Sequence, residues 1–226
     1  MEITCFKAYD IRGQIPNELN ADICYRVGNA TGAFLDAKTV VVGRDMRLTS
    51  EEFADAVIKG LMDAGIEVLD IGLCGTETVY FATSHLNADG GIMVTASHNP
   101  ADYNGLKLVR EEARPISGDT GLSDIRVLAE SDERKLGDGG ERTPVDVLAE
   151  YTDHILTYAD AEKLKPLKLV MNPGNGCAGI ATDALEEHLP FNFIKIHNEP
   201  DGTFPNGIPN PMLLENQAVT TEAVLE

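Results

Sequence analysis

Cysteine is sparse and scattered. Cys5, Cys24, Cys74 and Cys177 form no Cys-x-x-Cys pair, and no histidine stands at zinc-finger spacing from them, which excludes a disulfide scaffold and a zinc finger and makes a reduced, cytoplasmic setting the expectation. No apolar run approaches the ~20 residues of a membrane span, and Met1 to Phe6 is neither basic nor long enough for a signal peptide, so no membrane partner is expected. Basic residues are few as well: 18 Lys and Arg face 37 Asp and Glu, a formal charge of −19. That field repels polynucleotide phosphates and anionic headgroups, so no nucleic-acid partner is expected either. It would equally repel a small phosphorylated ligand, and any anion site must therefore be a local concentration of Arg, Lys and backbone N–H groups.

The rest of the composition is globular, with 43% hydrophobic, 24% charged and 6% aromatic residues. This excludes disorder and collagen. At 226 residues the chain is about one and a half domains of ~150 residues, able to bury roughly 70% of its unfolded surface.

Short β-branched runs alternate with amphipathic stretches, the pattern of an α/β fold. Strands are expected at 39–42, 67–71, 91–96 and 106–109, and helices at 20–34, 51–63, 77–86 and 121–130. The helix from Glu51 carries a capping-box pair, Thr49 and Glu52, and Gly65 is placed to end it in the left-handed conformation. Residues 131–143 hold one apolar residue in thirteen, too few to enter a core. The domain boundary is placed there, between a first domain 1–136 and a second, 144–226. In the latter, Pro144 opens a helix whose apolar face is Val145, Leu148, Tyr151, Ile155 and Tyr158, followed by strand 167–171, helix 181–188, strand 193–196 and a proline-rich loop at 199–211. Two strands and two helices are too little for a stable α/β domain, so the second domain is expected to be incomplete. An open sheet edge there is a route to a dimer.

The strand at 91–96 runs into Thr95-Ala96-Ser97-His98-Asn99-Pro100-Ala101-Asp102-Tyr103-Asn104-Gly105-Leu106-Lys107. A strand stopping at a serine puts a hydroxyl at the lip of the sheet, where α/β proteins keep ligands. The bland alternative is that Ser97 and Asn99 only cap a turn, and local sequence leaves the two open. His98 beside Ser97 is no sign of a Ser–His couple, because such couples depend on geometry and adjacent residues point apart.

This loop resembles the phosphoserine loop of the α-D-phosphohexomutases, most closely in their bacterial phosphomannomutase/phosphoglucomutase branch. Two further motifs of the family stand in order, Phe6-Lys7-Ala8-Tyr9-Asp10-Ile11-Arg12-Gly13 and Gly43-Arg44-Asp45-Met46-Arg47, and the similarity continues through Gly121 and Asp201-Gly202-x-Phe204-Pro205-Asn206. It covers the whole chain. The resemblance implies a first domain with a mixed sheet flanked by helices, and an incomplete second α/β domain of similar type. It also implies reversible transfer of phosphate between O1 and O6 of a hexose, in which phosphorylated Ser97 donates to the sugar phosphate, giving a hexose 1,6-bisphosphate that also acts as activator. Arg12 and Lys107 would supply fixed positive charge, His98 and Lys107 would move the hydroxyl proton, and Tyr9 would touch substrate. Each has a plainer alternative: a solvated surface charge, or for Tyr9 a place in the core. Arg44, Asp45 and Arg47 are assigned instead to a structural ion-pair knot. The Asp102-Tyr103-Asn104 run leans toward mannose or glucose phosphates.

The chain departs from the family at the metal. The resemblance implies Mg2+ held by a phosphoserine oxygen, here on Ser97, and by three carboxylates of an Asp-Gly-Asp-x-Asp-Arg loop, which is absent between Met1 and Glu226. The family's later motifs, Gly-Glu-x-Ser-Gly and Arg-x-Ser-Asn-Thr, are absent too. Further C-terminal domains are therefore expected as partners, and this chain alone is expected to be inactive. Two rival readings remain. Gly174, Gly176 and Gly179 match a dinucleotide-binding Gly-x-Gly-x-x-Gly after a strand, with Glu199 about where a ribose-binding acid would stand. Alternatively, the chain is a non-catalytic, phosphorylatable module.

Overall fold

A computed structural model describes residues 1–160 and 163–226. The chain divides into two compact units, one of residues 1–97 and 102–146, the other of residues 98–101 and 147–226.

The first unit is built on a mixed seven-stranded sheet. Its strands are β1 (Ile11–Gln14), β2 (Thr39–Arg44), β3 (Glu67–Leu73), β4 (Gly90–Val94), β5 (Tyr103–Arg110), β6 (Arg114–Pro115) and β7 (Arg142–Pro144), in the order β1-β5-β4-β2-β3-β7 with β6 on β5. β4, β2, β3 and β7 run parallel, whereas β5 is antiparallel to both β4 and β1. The centre reads as buried parallel strands do: Val40, Val41 and Val42 are all fully buried. Side chains alternate between the faces. Val40 and Val42 join Ile92, Val94, Leu106 and Leu108 in one core with Val27 of α1 (Ala21–Leu35) and Val57 and Leu61 of α2 (Ser50–Asp63). Gly43 and Gly91 point to the other face, where a Cβ would lie 2.7 and 3.1 Å from γ-carbons of Val79 in α3 (Thr76–His85). Helix α4 (Leu122–Glu130) completes the core with Leu122, Ile125 and Ala129.

Local signals set several boundaries. Asn20 caps α1 by accepting a hydrogen bond from Ile23 N–H at 3.1 Å. Gly65, at φ +81°, ends α2 as expected: its N–H bonds Met62 O while Ile66 N–H bonds Leu61 O, the paired closure of a left-handed C-terminus. The capping box at Thr49 does not form. Thr49 is in right-handed helical conformation and makes no side-chain cap, and its hydroxyl accepts from Asn104 Nδ2 at 3.1 Å. Pro144 does not open a helix either. It ends edge strand β7 on β3, where a missing N–H costs no ladder bond on the open side, and Val145 N–H bonds Asp70 O. The polar segment before it stays out of the core but is anchored, because Asn29 donates to Lys135 O at 2.8 Å and accepts from Lys135 N–H at 3.0 Å.

The second unit contains a two-stranded parallel sheet, β8 (Lys168–Met171) with β9 (Asn192–Lys195), and helices α5 (Leu148–Leu156), α6 (Ala178–Glu186) and α7 (Leu214–Leu225). Val145 and Tyr158 fall outside α5, and Tyr158 is exposed. Among the described residues no helix is long and apolar enough to cross a membrane.

Two features of the first unit are testable. Helices α1 and α2 meet at glycines: a Cβ on Gly28 would lie 2.3 Å from Val57 O, and one on Gly60 2.1 Å from Tyr25 O. Helix propensity favours alanine by about 1 kcal/mol, but overpacking costs about 1–3 kcal/mol. Gly28→Ala is therefore expected to lower the melting temperature, and an unchanged or raised value would refute this contact. Burial raises the thiol of Cys5 from 9.0 to about 11 and that of Cys24 well above 9.0. Because the unfolded thiols ionise first, the contribution of Cys5 to stability is whole below pH 9 and lost as pH rises through 11, and that of Cys24 has the same sign. The urea midpoint should fall over that range, and native Cys5 and Cys24 should resist a disulfide reagent at pH 8.

Candidate functional site

Ser97 stands three residues past the C-terminal end of β4, exposed, at φ +53°. A left-handed residue other than glycine costs about 1 kcal/mol and persists only where its neighbours hold it. Here its N–H donates to Thr95 Oγ1 at 2.9 Å, and its carbonyl accepts from Arg47 Nη2 at 2.9 Å. Arg47 Nη1 reaches the carbonyl of Tyr103, also at 2.9 Å. One guanidinium thus binds both ends of the segment that carries the serine.

Arg47 is itself fixed. Its Nε lies 3.4 Å from Asp45 Oδ2, and its N–H donates to Asp45 Oδ1 at 3.0 Å. Asp45 Oδ1 also accepts from Ser50 Oγ at 2.5 Å, and Ser50 Oγ in turn accepts from Asn104 Nδ2 at 3.0 Å. This is the ion-pair knot expected of Asp45 and Arg47. Arg44 points elsewhere, 3.7 Å from Asp70 Oδ1. Burial lowers the Arg47 guanidinium pKa from its ordinary value, with Asp45 opposing the shift and the charge of Arg12 adding to it.

The cations expected from the sequence meet on the neighbouring strands. The antiparallel register of β1 and β5 sets Ile11 opposite Leu106, which brings the preceding Asp10 toward Lys107. Asp10 Oδ2 lies 2.6 Å from Arg12 Nη2 and 3.5 Å from Lys107 Nζ. Sequence reasoning passed over Asp10, and the signal for it was register, which needs the pairing partner. The approach is close because residue 105 is glycine: a Cβ there would lie 2.2 Å from Ile11 O. Arg12 Nε is buried with no hydrogen-bond partner. Tyr9 is not a core residue; it is 80% exposed, in the turn that Lys7 N–H closes onto Asp10 O. His98 is exposed. Among the described residues no group of three or more His, Cys, Asp or Glu could hold a metal ion.

The glycines of the turn after β8 pack closely against their own chain. A Cβ on Gly179 would lie 2.0 Å from Asn198 O, and one on Gly174 2.7 Å from Pro209 Cβ. Asn175 N–H donates to His197 O at 2.8 Å, and its side chain to Glu199 O at 2.9 Å. The close approaches that would admit a pyrophosphate are made to residues 197–209, and the turn is structural.

Two family models match the chain: the phosphoglucomutase/phosphomannomutase alpha/beta/alpha domain I at residues 4–135, and domain II at 149–225. The chain is 58% identical to a phosphomannomutase of Salmonella montevideo over 99% of its own length and 51% of the relative's. It is 56% identical to a protein named phosphohexose mutases in Xanthomonas campestris pv. campestris strain B100, over 100% and 51%. A crystal structure of a phosphoglucomutase/phosphomannomutase family protein from Burkholderia thailandensis superposes with a TM-score of 0.86 at 36% identity, covering 97% of this chain and 49% of that one. The chain spans about half the length of the curated relatives it matches.

An anion entering beside Arg12 and Lys107 competes with Asp10 for them. Partly exposed pairs of this kind are worth up to ~1 kcal/mol. Asp10→Asn is therefore expected to tighten inorganic phosphate binding about two- to five-fold at low salt, read by calorimetry; weaker binding would mean that Asp10 organises the cations more than it competes for them.

Proposed function

Because the chain belongs to the phosphoglucomutase/phosphomannomutase family, we propose that it carries the phosphoryl-transfer apparatus of a phosphohexomutase that interconverts hexose 6-phosphate and hexose 1-phosphate, with Ser97 as the phosphorylated residue. The observation that carries this reading is an exposed serine held at φ +53° just past the end of β4, with Arg12 and Lys107 gathered at Asp10 on the adjoining strands.

In the forward step the free hydroxyl oxygen of a hexose phosphate attacks the phosphorus of phosphorylated Ser97. A phosphorus–oxygen bond forms to the sugar as the bond to Ser97 Oγ breaks. The hydroxyl proton leaves to neutral His98 as base, and Ser97 Oγ takes a proton from the Lys107 ammonium as acid; the return step moves both protons back. The product is a hexose 1,6-bisphosphate, which returns its other phosphate to Ser97 by the same step reversed; added bisphosphate would act as activator by loading the serine. Such a transfer asks chiefly for positioning and for neutralisation of the phosphoryl oxygens, and Arg12 supplies a fork suited to phosphate. Tyr9, exposed at its turn, would contact the sugar.

In this reading residues 1–136 form the first domain and 144–226 belong to the second, in a cytoplasmic enzyme of carbohydrate metabolism. A dimer through a sheet edge of the second unit belongs to the same proposal. Mg2+ would take a phosphate oxygen on Ser97 as its single ligand from this chain. One ligand does not make an all-oxygen site. The residues present do not fit the ion on their own, and no step above passes through it.

The test is Ser97→Ala in the complete gene product. Exchange of labelled phosphate between protein and glucose or mannose 1,6-bisphosphate should fall to background while the melting temperature stays within a few degrees. Near-normal turnover would remove Ser97 from the mechanism.

A further inference from the structure

We infer that Arg47 is a positioning residue for the phosphorylated serine, acting through the backbone of the loop. The inference rests on the phosphoserine reading of Ser97. Arg47 is not placed to meet substrate: its side chain is 1% exposed, and its two Nη atoms are spent on the carbonyls of Ser97 and Tyr103, each at 2.9 Å. Those carbonyls stand at the two ends of the exposed segment that begins with Ser97 and His98. The direction of the Ser97 carbonyl is set by the same backbone torsions that aim its side chain, so a hydrogen bond to that oxygen restrains Oγ as well. In the unusual left-handed conformation of Ser97 such an external restraint is what a non-glycine residue requires.

The anchor at the far side is equally built. Asp45 N–H donates to Val94 O at 3.0 Å, tying Asp45 to the strand that delivers Ser97. The line from Asn104 through Ser50 and Asp45 to Arg47 is made of buried residues throughout. A serine that gives up and regains a phosphoryl group must return to one place for in-line attack, and misplacement by about 1 Å costs on the order of 10²-fold in rate. A planar fork can bind two carbonyls at once, and an ammonium cannot reproduce that span.

Arg47→Lys in the complete gene product tests this. The rate of phosphate exchange with glucose 1,6-bisphosphate is expected to fall about 10²-fold, with KM within two-fold of the parent and the pH profile unmoved. A folded Arg47→Lys protein with parental kcat would overturn the proposal, and so would a loss expressed in KM alone, since that would make Arg47 a substrate contact. If Arg47→Lys does not fold, Asp45→Asn is read instead. It keeps the shape of the side chain but removes the negative charge beside Nε, with kcat expected to drop about ten-fold and an unchanged kcat overturning the proposal. Ser97→Ala measured alongside separates the two failures: exchange surviving in that variant defeats the phosphoserine reading, whereas exchange lost there but parental in the Arg47 and Asp45 variants defeats this inference alone.

Discussion

A buried guanidinium that binds two carbonyls is the constraint on which the mouth of this sheet depends. Withdrawing a charge from water is costly, and here the cost is offset by a carboxylate and by two backbone acceptors that would otherwise turn to solvent. The arrangement stays fixed because each partner is held a second time. Asp45 is bound to the strand bearing Ser97 and to the first residue of α2. Asn104 ties the start of that helix to β5. The end of β4, the start of α2 and the start of β5 are thus one polar unit, and displacing any of its members strands a buried polar group in the others.

The strand directions explain why this knot lies at one edge of a loop. β4 is parallel to β2 on one side and antiparallel to β5 on the other. The parallel neighbours leave the mouth of the sheet by helices. The antiparallel neighbour must return at once, which confines the connection between β4 and β5 to a short loop whose ends are close enough for one arginine to reach both. The antiparallel pairing of β1 with β5 brings the start of β1 alongside Leu106 and sets Asp10 toward Lys107. A protein of formal charge −19 can thereby gather two cations at one carboxylate, because each is placed by backbone pairing, against the long-range field.

What the sequence revealed and what it hid divide along range. The valine run at 40–42, the Gly65 terminus and the cap at Asn20 are local signals, and the structure follows them. The capping box at Thr49 is local too, yet a tertiary partner takes the threonine hydroxyl, which accepts from Asn104 Nδ2. Strand β1 escaped notice because four residues of mixed character, Ile-Arg-Gly-Gln, carry no period that distinguishes them. The polar stretch before Pro144 carries the composition of a free linker, and it is held by partners far away in sequence, among them Asn29 on Lys135, Asp63 O on Gly137 N–H and the pairing of β7 with β3. No window of neighbouring residues contains that information.

The site shows the same division in a sharper form. Ser97, Arg12 and Lys107 were nameable because motif residues keep their order along the chain. Asp10 lies inside the motif Phe6–Gly13, but the motif does not mark it, since its contact with Lys107 exists only when β1 and β5 are in register. Arg47 belongs to the ion-pair knot that its motif predicts, but its two Nη bonds go to main-chain oxygens, which every residue has and no sequence pattern marks. The residues proposed to do chemistry are therefore easier to find than those that hold a site in place, because side-chain type announces the first and only backbone geometry reveals the second.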